Sequence, residues 1–165
     1  MTPASIVSTP TPDRDGIQQV QSIIARVAHD IDRKHWPGLR SLYADEVETD
    51  YTSLFGGTAQ RQRGDDLIDG WRTALAAVST QHLLGPIDVD LSGSAARAEC
   101  HVCAWHHAAG ATSGDGWVVH GHYIFALEKR AEAWRITTMT LDVLHQRGNT
   151  RLLQEASAGT RTGSS

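Results

Sequence analysis

Asp32 and His82 are the residues whose types suit proton transfer near neutral pH. Asp32 ends the row Gln21, Ala25, Ala28 and Asp32, whose spacing stacks all four on one helix face. The two alanines leave space beside the helix, and a carboxylate next to an apolar stripe is partly desolvated. The alternative is an acid in solvent or one that caps the following turn. His82 stands in Thr80-Gln81-His82-Leu83-Leu84, with leucines directly behind it. A histidine so placed is either a satisfied structural residue or a base. If the two side chains meet, the carboxylate fixes the imidazole tautomer and raises its basicity, which makes a general base.

A second imidazole comes from the pair His106-His107. Along Ala96–His107 the positions Ala98, Cys100, Val102, Ala104 and His106 form one small, apolar face, so His106 is expected to point inward. A bulge would exchange it for His107. Tyr51 and Tyr123 each carry a phenol able to donate to a substrate oxygen, and Leu54, Phe55 and Trp71 are further candidates to shape a pocket. His120 and His122 share one side of a strand, but Glu128 has the wrong parity to join them, so they read as outer-face or interface residues. Cys100 and Cys103 form an isolated C-x-x-C in a strand, where residues three apart face opposite ways. No metal site and no redox motif is expected there. Phosphate-loop, dinucleotide, serine-hydrolase and zinc-protease signatures do not occur in the sequence.

These residues must be positioned by a helical first half and a stranded second half. Ile17, Val20, Ile24, Val27 and Ile31 recur at helical steps behind the Asp13/Asp15 cap region, with Pro37 expected to end that helix. A short helix over Gly38–Tyr43, a strand over Val47–Tyr51, a Gly56-Gly57 turn and a helix over Asp65–Val78 follow. From residue 79 the period becomes two. Strands are expected around His82, over Ile87–Leu91, Ala96–His107, Val118–Glu128 and Trp134–Leu144, the last two joined through Lys129–Ala133. Helices first and a meander later is an α+β plan, a curved antiparallel sheet wrapped around about three helices. Residues 13–155 read as one domain, and residues 1–12 and 156–165, rich in small, polar residues and proline, as disordered tails.

At 165 residues a single core suffices without disulfide or metal staples. A net charge of −4, with no basic run interleaved with aromatics, argues against nucleic acid. No apolar run is long enough to cross a membrane and no secretory signal pattern opens the chain, so cytoplasm is the expected compartment.

Val27–Tyr51, Thr80–Leu91 and the late G-H-Y-x-F-x-L followed by W-R-I together resemble the SnoaL-like branch of the nuclear transport factor 2-like superfamily. The likeness is strongest to scytalone dehydratases and their bacterial relatives, and it extends to hexachlorocyclohexane dehydrochlorinase and bile-acid dehydratases. It spans about Asp13 to Leu144 and rests on D-x-x-x-W-x-x-L-x-x-L-Y-A, on the D-Y at a strand end, and on T-Q-H. The resemblance implies a cone with an interior pocket and a cofactor-independent elimination. In that scheme His82 is the base, Asp32 orients it, His106 is a second acid or base, and Tyr51 polarises a carbonyl through water. His107 substitutes for His106 under a one-residue change of alignment. Ile31 stands where scytalone dehydratase has a Tyr, which puts scytalone itself in doubt as the substrate. The implied partner is a small hydrophobic cyclic or polyketide-like substrate, in a homodimer or homotrimer. A cyclase or isomerase using the same enolate, and a non-catalytic small-molecule binder, remain the alternatives.

Overall fold

Helix α1 (Arg14–Asp32) begins where the Asp13 side chain accepts from the Gly16 N–H at 2.9 Å. Its stripe of Val20, Ile24, Val27 and Ile31 is buried, as the spacing requires. The computed structural model describes residues 13–162, with side chains as far as 158, so the expected N-terminal tail lies outside the described residues.

The stop of α1 differs from the one expected at Pro37. The helix ends by a turn at Lys34, which has φ 57°. There Lys34 N–H donates to the Ile31 carbonyl at 3.1 Å and His35 N–H to the Asp30 carbonyl at 2.8 Å. This paired closure usually employs glycine at the left-handed position, and a side chain there costs about 1 kcal/mol. Pro37 falls in the first turn of α2 (Trp36–Arg40), where a missing N–H is harmless. The second helix is therefore earlier than the expected Gly38–Tyr43.

Strand β1 (Tyr43–Asp50) leads into the short α3 (Thr52–Phe55), the Gly56-Gly57 turn and β2 (Gln60–Arg63). The sequence pattern indicates neither α3 nor β2. Helix α4 (Gly64–Ala74) stops four residues before the expected Val78, and Leu75 and Val78 are buried beyond its end. Strands β3 (Ser79–Leu84), β4 (Asp88–Ser92), β5 (Ala95–His107), β6 (Gly116–Arg130) and β7 (Ala133–Gly148) follow.

The sheet order is β2-β1-β7-β6-β5-β3, with β4 also pairing β5. It is curved and unclosed. It is also mixed rather than wholly antiparallel, because β1 pairs β7 in parallel with Thr49 opposite Met139. The connection between these two parallel strands runs through everything from α3 to β6, and local alternation carries no sign of such a pairing. Bulges at His120/Gly121 and Ala126/Leu127 interrupt the β6–β7 ladder and help it bend.

The boundary expected at 155/156 falls inside a helix, α5 (Leu152–Thr162). Asn149, itself buried, opens its first turn by accepting from Arg151 N–H at 3.0 Å, and Leu152 is fully buried. Glu155 ties α5 to the β5–β6 loop, accepting from the Ser113 hydroxyl at 2.8 Å and backbone N–H at 3.0 Å. Among the described residues no helix is long and apolar enough to cross a membrane.

The β6–β7 hairpin turns on two residues, Ala131 at φ 46° and Glu132 at φ 65°. Such a turn favours asparagine followed by glycine. The double substitution Ala131→Asn with Glu132→Gly is expected to stabilise the fold by about 1–2 kcal/mol and to raise Tm by roughly 3–6 °C. The lost Glu132–Lys129 ion pair is surface exposed and offsets little of this gain. Thermal denaturation monitored by circular dichroism tests it, and an unchanged or lower Tm refutes the strain argument.

Candidate active site

The last residue of α1 meets the first half of β3. Asp32 Oδ1 accepts from His82 Nδ1 at 2.7 Å and from the Thr80 hydroxyl at 2.9 Å, while Oδ2 accepts from the His82 backbone N–H at 2.8 Å. Thr80 and His82 lie two apart on one strand, so both face the helix end. The clasp places the proton of a neutral His82 on Nδ1 and leaves Nε2 as its basic nitrogen, an assignment made from the hydrogen-bond pattern. Burial works to raise the Asp32 carboxyl. The bonds from the His82 ring and backbone, with the Thr80 hydroxyl, outweigh it and hold the carboxyl below its ordinary range.

His82 opens onto a cavity of about 260 Å3 whose lining is mostly apolar. Ile31 of α1, Leu54 and Phe55 of α3, Trp71 of α4, Leu141 of β7 and Leu153 of α5 contribute to its wall. The polar groups that reach it come from Tyr51, His82, His106 and Tyr123, besides the Trp117 indole. Phe55 is 62% exposed and leans on Tyr51 and Trp117, with ring centroids 6.4 Å from each, so it marks the mouth.

His106 is the inward member of its pair. The β5–β6 register runs unbroken from Ala95 to His107, so no bulge exchanges the two. His107 is exposed and does not line the cavity, which corrects its inclusion among the pocket residues. The His106 ring lies edge-on to His82 at 5.9 Å and against Trp117 at 4.8 Å. Its Nδ1 is buried with no hydrogen-bond partner among the described residues. Burial, reinforced electrostatically by the neighbouring His82, pushes its pKa down to about 4, so the ring is neutral at pH 7.

Tyr51 caps α3 rather than ending β1, and its hydroxyl donates weakly to Met139 Sδ at 3.7 Å. The buried Tyr43, absent from the sequence-based candidates, donates to the same sulfur at 3.3 Å. Burial raises the pKa of the Tyr51 and Tyr123 phenols, so both remain protonated donors.

Outside the cavity, His101 packs edge-on against His122 at 4.3 Å and His120 stacks on His145 at 5.9 Å, each pair bridging neighbouring strands among β5, β6 and β7. No group of three or more His, Cys, Asp or Glu side chains among the described residues is arranged to hold a metal ion. Cys100 faces the core, where burial pushes its thiol up to about 11, while Cys103 lies on the opposite face. Thr80, Trp117 and Leu153 are site residues that the sequence alone does not single out. Thr80 is legible only as part of T-Q-H, and Leu153 belongs to the unforeseen α5.

A curved, unclosed sheet folded over N-terminal helices around an interior cavity is the architecture of a nuclear transport factor 2-like domain. Within that class the chain belongs to the SnoaL-like domain family, whose model matches residues 11–140. Among solved structures, the Kfla4162 protein from Kribbella flavida is similar with TM-score 0.81 and 24% identity, over 87% of this chain and 99% of its own. A candidate aromatic ring hydroxylase from Novosphingobium aromaticivorans gives TM-score 0.73 at 21% identity, over 89% and 99%. A candidate scytalone dehydratase from the same organism gives 0.69 at 17%, over 82% and 88%. At these identities the likeness is one of fold. No curated protein matches the chain significantly.

Proposed function

We propose that this protein is a dehydratase-type lyase acting on a small, largely apolar ring compound that carries a carbonyl and a β-hydroxyl group. The observation that carries the reading is the 2.7 Å contact of Asp32 with His82 Nδ1 at the wall of an apolar cavity. His82 Nε2 takes the proton from the carbon next to the carbonyl, and Asp32 stabilises the imidazolium that forms. The electron pair moves onto the carbonyl oxygen, where the Tyr51 and Tyr123 phenols donate hydrogen bonds. The enolate then collapses, forming the C=C bond and breaking the C–O bond. The proton held by His82 leaves with the hydroxyl as water.

A neutral His106 suits a hydrogen bond to the departing oxygen better than delivery of a proton, because its imidazolium forms only well below neutral pH. The apolar lining, Ile31 included, favours a neutral substrate. The similarity of fold to a candidate scytalone dehydratase agrees with this chemistry.

Incubation with a panel of cyclic β-hydroxy ketones in D2O, followed by mass spectrometry, tests the reading. Products lighter by one water are expected. Solvent deuterium entering a product that keeps its oxygen would replace elimination by isomerase or cyclase chemistry of the same enolate. Tight binding across the panel with no exchange and no water loss would make the domain a binder.

A further inference from the structure

A second hollow adjoins the apolar cavity and shares the Tyr51, Phe55 and Trp71 side chains as walls. It holds about 360 Å3 between α3, the Gly56-Gly57 turn, β2 and α4, and its chemistry is unlike its neighbour's. Alternation along β2 turns Gln60 and Gln62 into it and Arg61 and Arg63 away. The Gln62 amide donates to the Thr49 hydroxyl at 3.4 Å and the Gln60 amide to the Thr58 carbonyl at 2.9 Å, which leaves both amide oxygens as placed acceptors. Asp66, in the first turn of α4, is the charged member of the lining, and no Lys, Arg or His joins it among the described residues. Its neighbour Asp65 is taken up by Arg40 and Arg63, whereas Asp66 has no such partner among the described residues. Gly70 keeps the hollow open. It sits in the interior of α4, where alanine is the better residue, and a Cβ there would meet nothing within 4 Å. Packing therefore does not call for glycine; what it preserves is space beside Asp66, one turn earlier on the same helix face.

We propose that this hollow is a subsite for an uncharged, hydroxyl-rich substituent, of the kind a sugar provides, borne by the ring compound whose apolar part fills the inner cavity. The inference rests on the reading of the inner cavity as the substrate chamber. Phe55 stands exposed at the mouth and lines both spaces, so a substituent that leaves the ring toward solvent passes it and enters the polar side. There the Asp66 carboxylate and two amide oxygens accept from hydroxyls, and bonds to a carboxylate are the stronger kind. The Trp71 and Phe55 rings face the apolar C–H surface that such a substituent also carries. An anionic group would instead be set against Asp66 with no basic side chain to receive it. A wholly apolar one would strip water from the carboxylate and amides without replacing their hydrogen bonds. Amides and threonine hydroxyls arrayed around one carboxylate match several hydroxyls spread over a ring better than a single point charge. Recognition is thereby divided: the inner chamber takes the reacting ring, and the outer one selects what that ring carries.

Isothermal titration calorimetry of the whole protein with 2-naphthol, 2-naphthyl β-D-glucopyranoside, 2-naphthoxyacetate and 2-(2-naphthyloxy)ethylamine reads this without turnover. The ring is common to the series and only the substituent changes. The glucoside is expected to bind about tenfold or more tighter than 2-naphthol, and the acetate no tighter than 2-naphthol. Asp66→Ala removes the charged acceptor, and Gly70→Leu fills the hollow from the helix side without meeting a neighbour at its Cβ. Each should bring the dissociation constants of glucoside and naphthol to within about threefold of one another. A glucoside that binds no tighter than 2-naphthol, undetectable binding of both, or a gain that survives in both variants overturns the proposal. So does an equal gain for the amine, which would make the hollow a cation site. The lyase reading is decided separately, by water loss from the β-hydroxy ketones. Preference for the glucoside in a protein that dehydrates nothing upholds the subsite and rejects the lyase, and dehydration by a protein indifferent to the glucoside does the reverse.

Discussion

Asp32→Asn is expected to lower turnover about 10²–10⁴-fold while leaving the fold and substrate binding nearly intact. The carboxylate accepts three hydrogen bonds, from the Thr80 hydroxyl, the His82 backbone and His82 Nδ1. An amide of the same shape has only one accepting oxygen. If that oxygen keeps the Thr80 and Nδ1 partners, the amide NH2 is driven against the His82 backbone N–H. If it turns to the backbone, the NH2 faces Nδ1 and selects the tautomer with its proton on Nε2, which abolishes the base. Either arrangement also removes the negative charge that stabilises an imidazolium formed during proton abstraction. The loss should therefore fall on kcat, with KM changed little. Steady-state kinetics on any substrate found by the elimination screen provide the measurement. A variant within threefold of wild-type kcat would show that Asp32 is a structural clasp between α1 and β3 and that the base lies elsewhere.

That clasp explains how a small domain holds a proton-transfer group steady. Asp32 ends a helix whose adjoining stripe is anchored in the core by Val20, Ile24 and Val27, and its partners sit on β3, which is itself paired along six residues to β5. His106 projects from β5, with Thr80 opposite it in the ladder and Ala104 opposite His82. Two residues of β3 and one of β5 are thus fixed relative to one another by backbone pairing, and the helix contributes only the carboxylate. Ala104 supplies little bulk beside His82, which leaves the ring open to the cavity.

The parts of this arrangement that depend on local periodicity are legible in the sequence. The three- and four-residue steps from Ile17 to Ile31 define α1 and its buried face, and the alternation in β5 correctly turns His106 inward and His107 outward. The parts that depend on distant pairing are not. Parallel pairing of β1 with β7 joins segments about ninety residues apart, and no pattern within either strand marks it. Helix α3 and strand β2 each have only four residues, too few to show a period. Helix α5 lacks a wide apolar stripe, and Leu152 and Leu153 gain their burial from the body of the domain rather than from an amphipathic pattern of their own.

Acidification is expected to destabilise the wild-type protein by about 2–3 kcal/mol more than a His106→Phe variant between pH 7.5 and pH 4.5. In the unfolded chain the His106 imidazole has its ordinary value near 6.5, whereas in the folded protein burial, reinforced electrostatically by His82, brings it down to about 4. Between those two values the unfolded chain binds a proton that the folded one refuses. Stability therefore falls as pH drops through this window, and the contribution of His106 is fully present above about 6.5. Asp32 has the opposite chemistry but a separate window. Its carboxyl lies below 3.8 in the folded state, so its stabilisation is lost only at lower pH than the one compared here. The other eight histidines are common to both proteins, and those remote from His106 cancel in the difference. Phenylalanine keeps a planar ring against Trp117, 4.8 Å away in the wild type, and leaves no imidazole to protonate. Urea unfolding at the two pH values gives the comparison directly. Parallel loss of stability in both proteins would mean that water or a rearranged side chain solvates His106. In that event its ring would be free to carry a proton near neutral pH, and it would regain the role of acid that its burial now denies it.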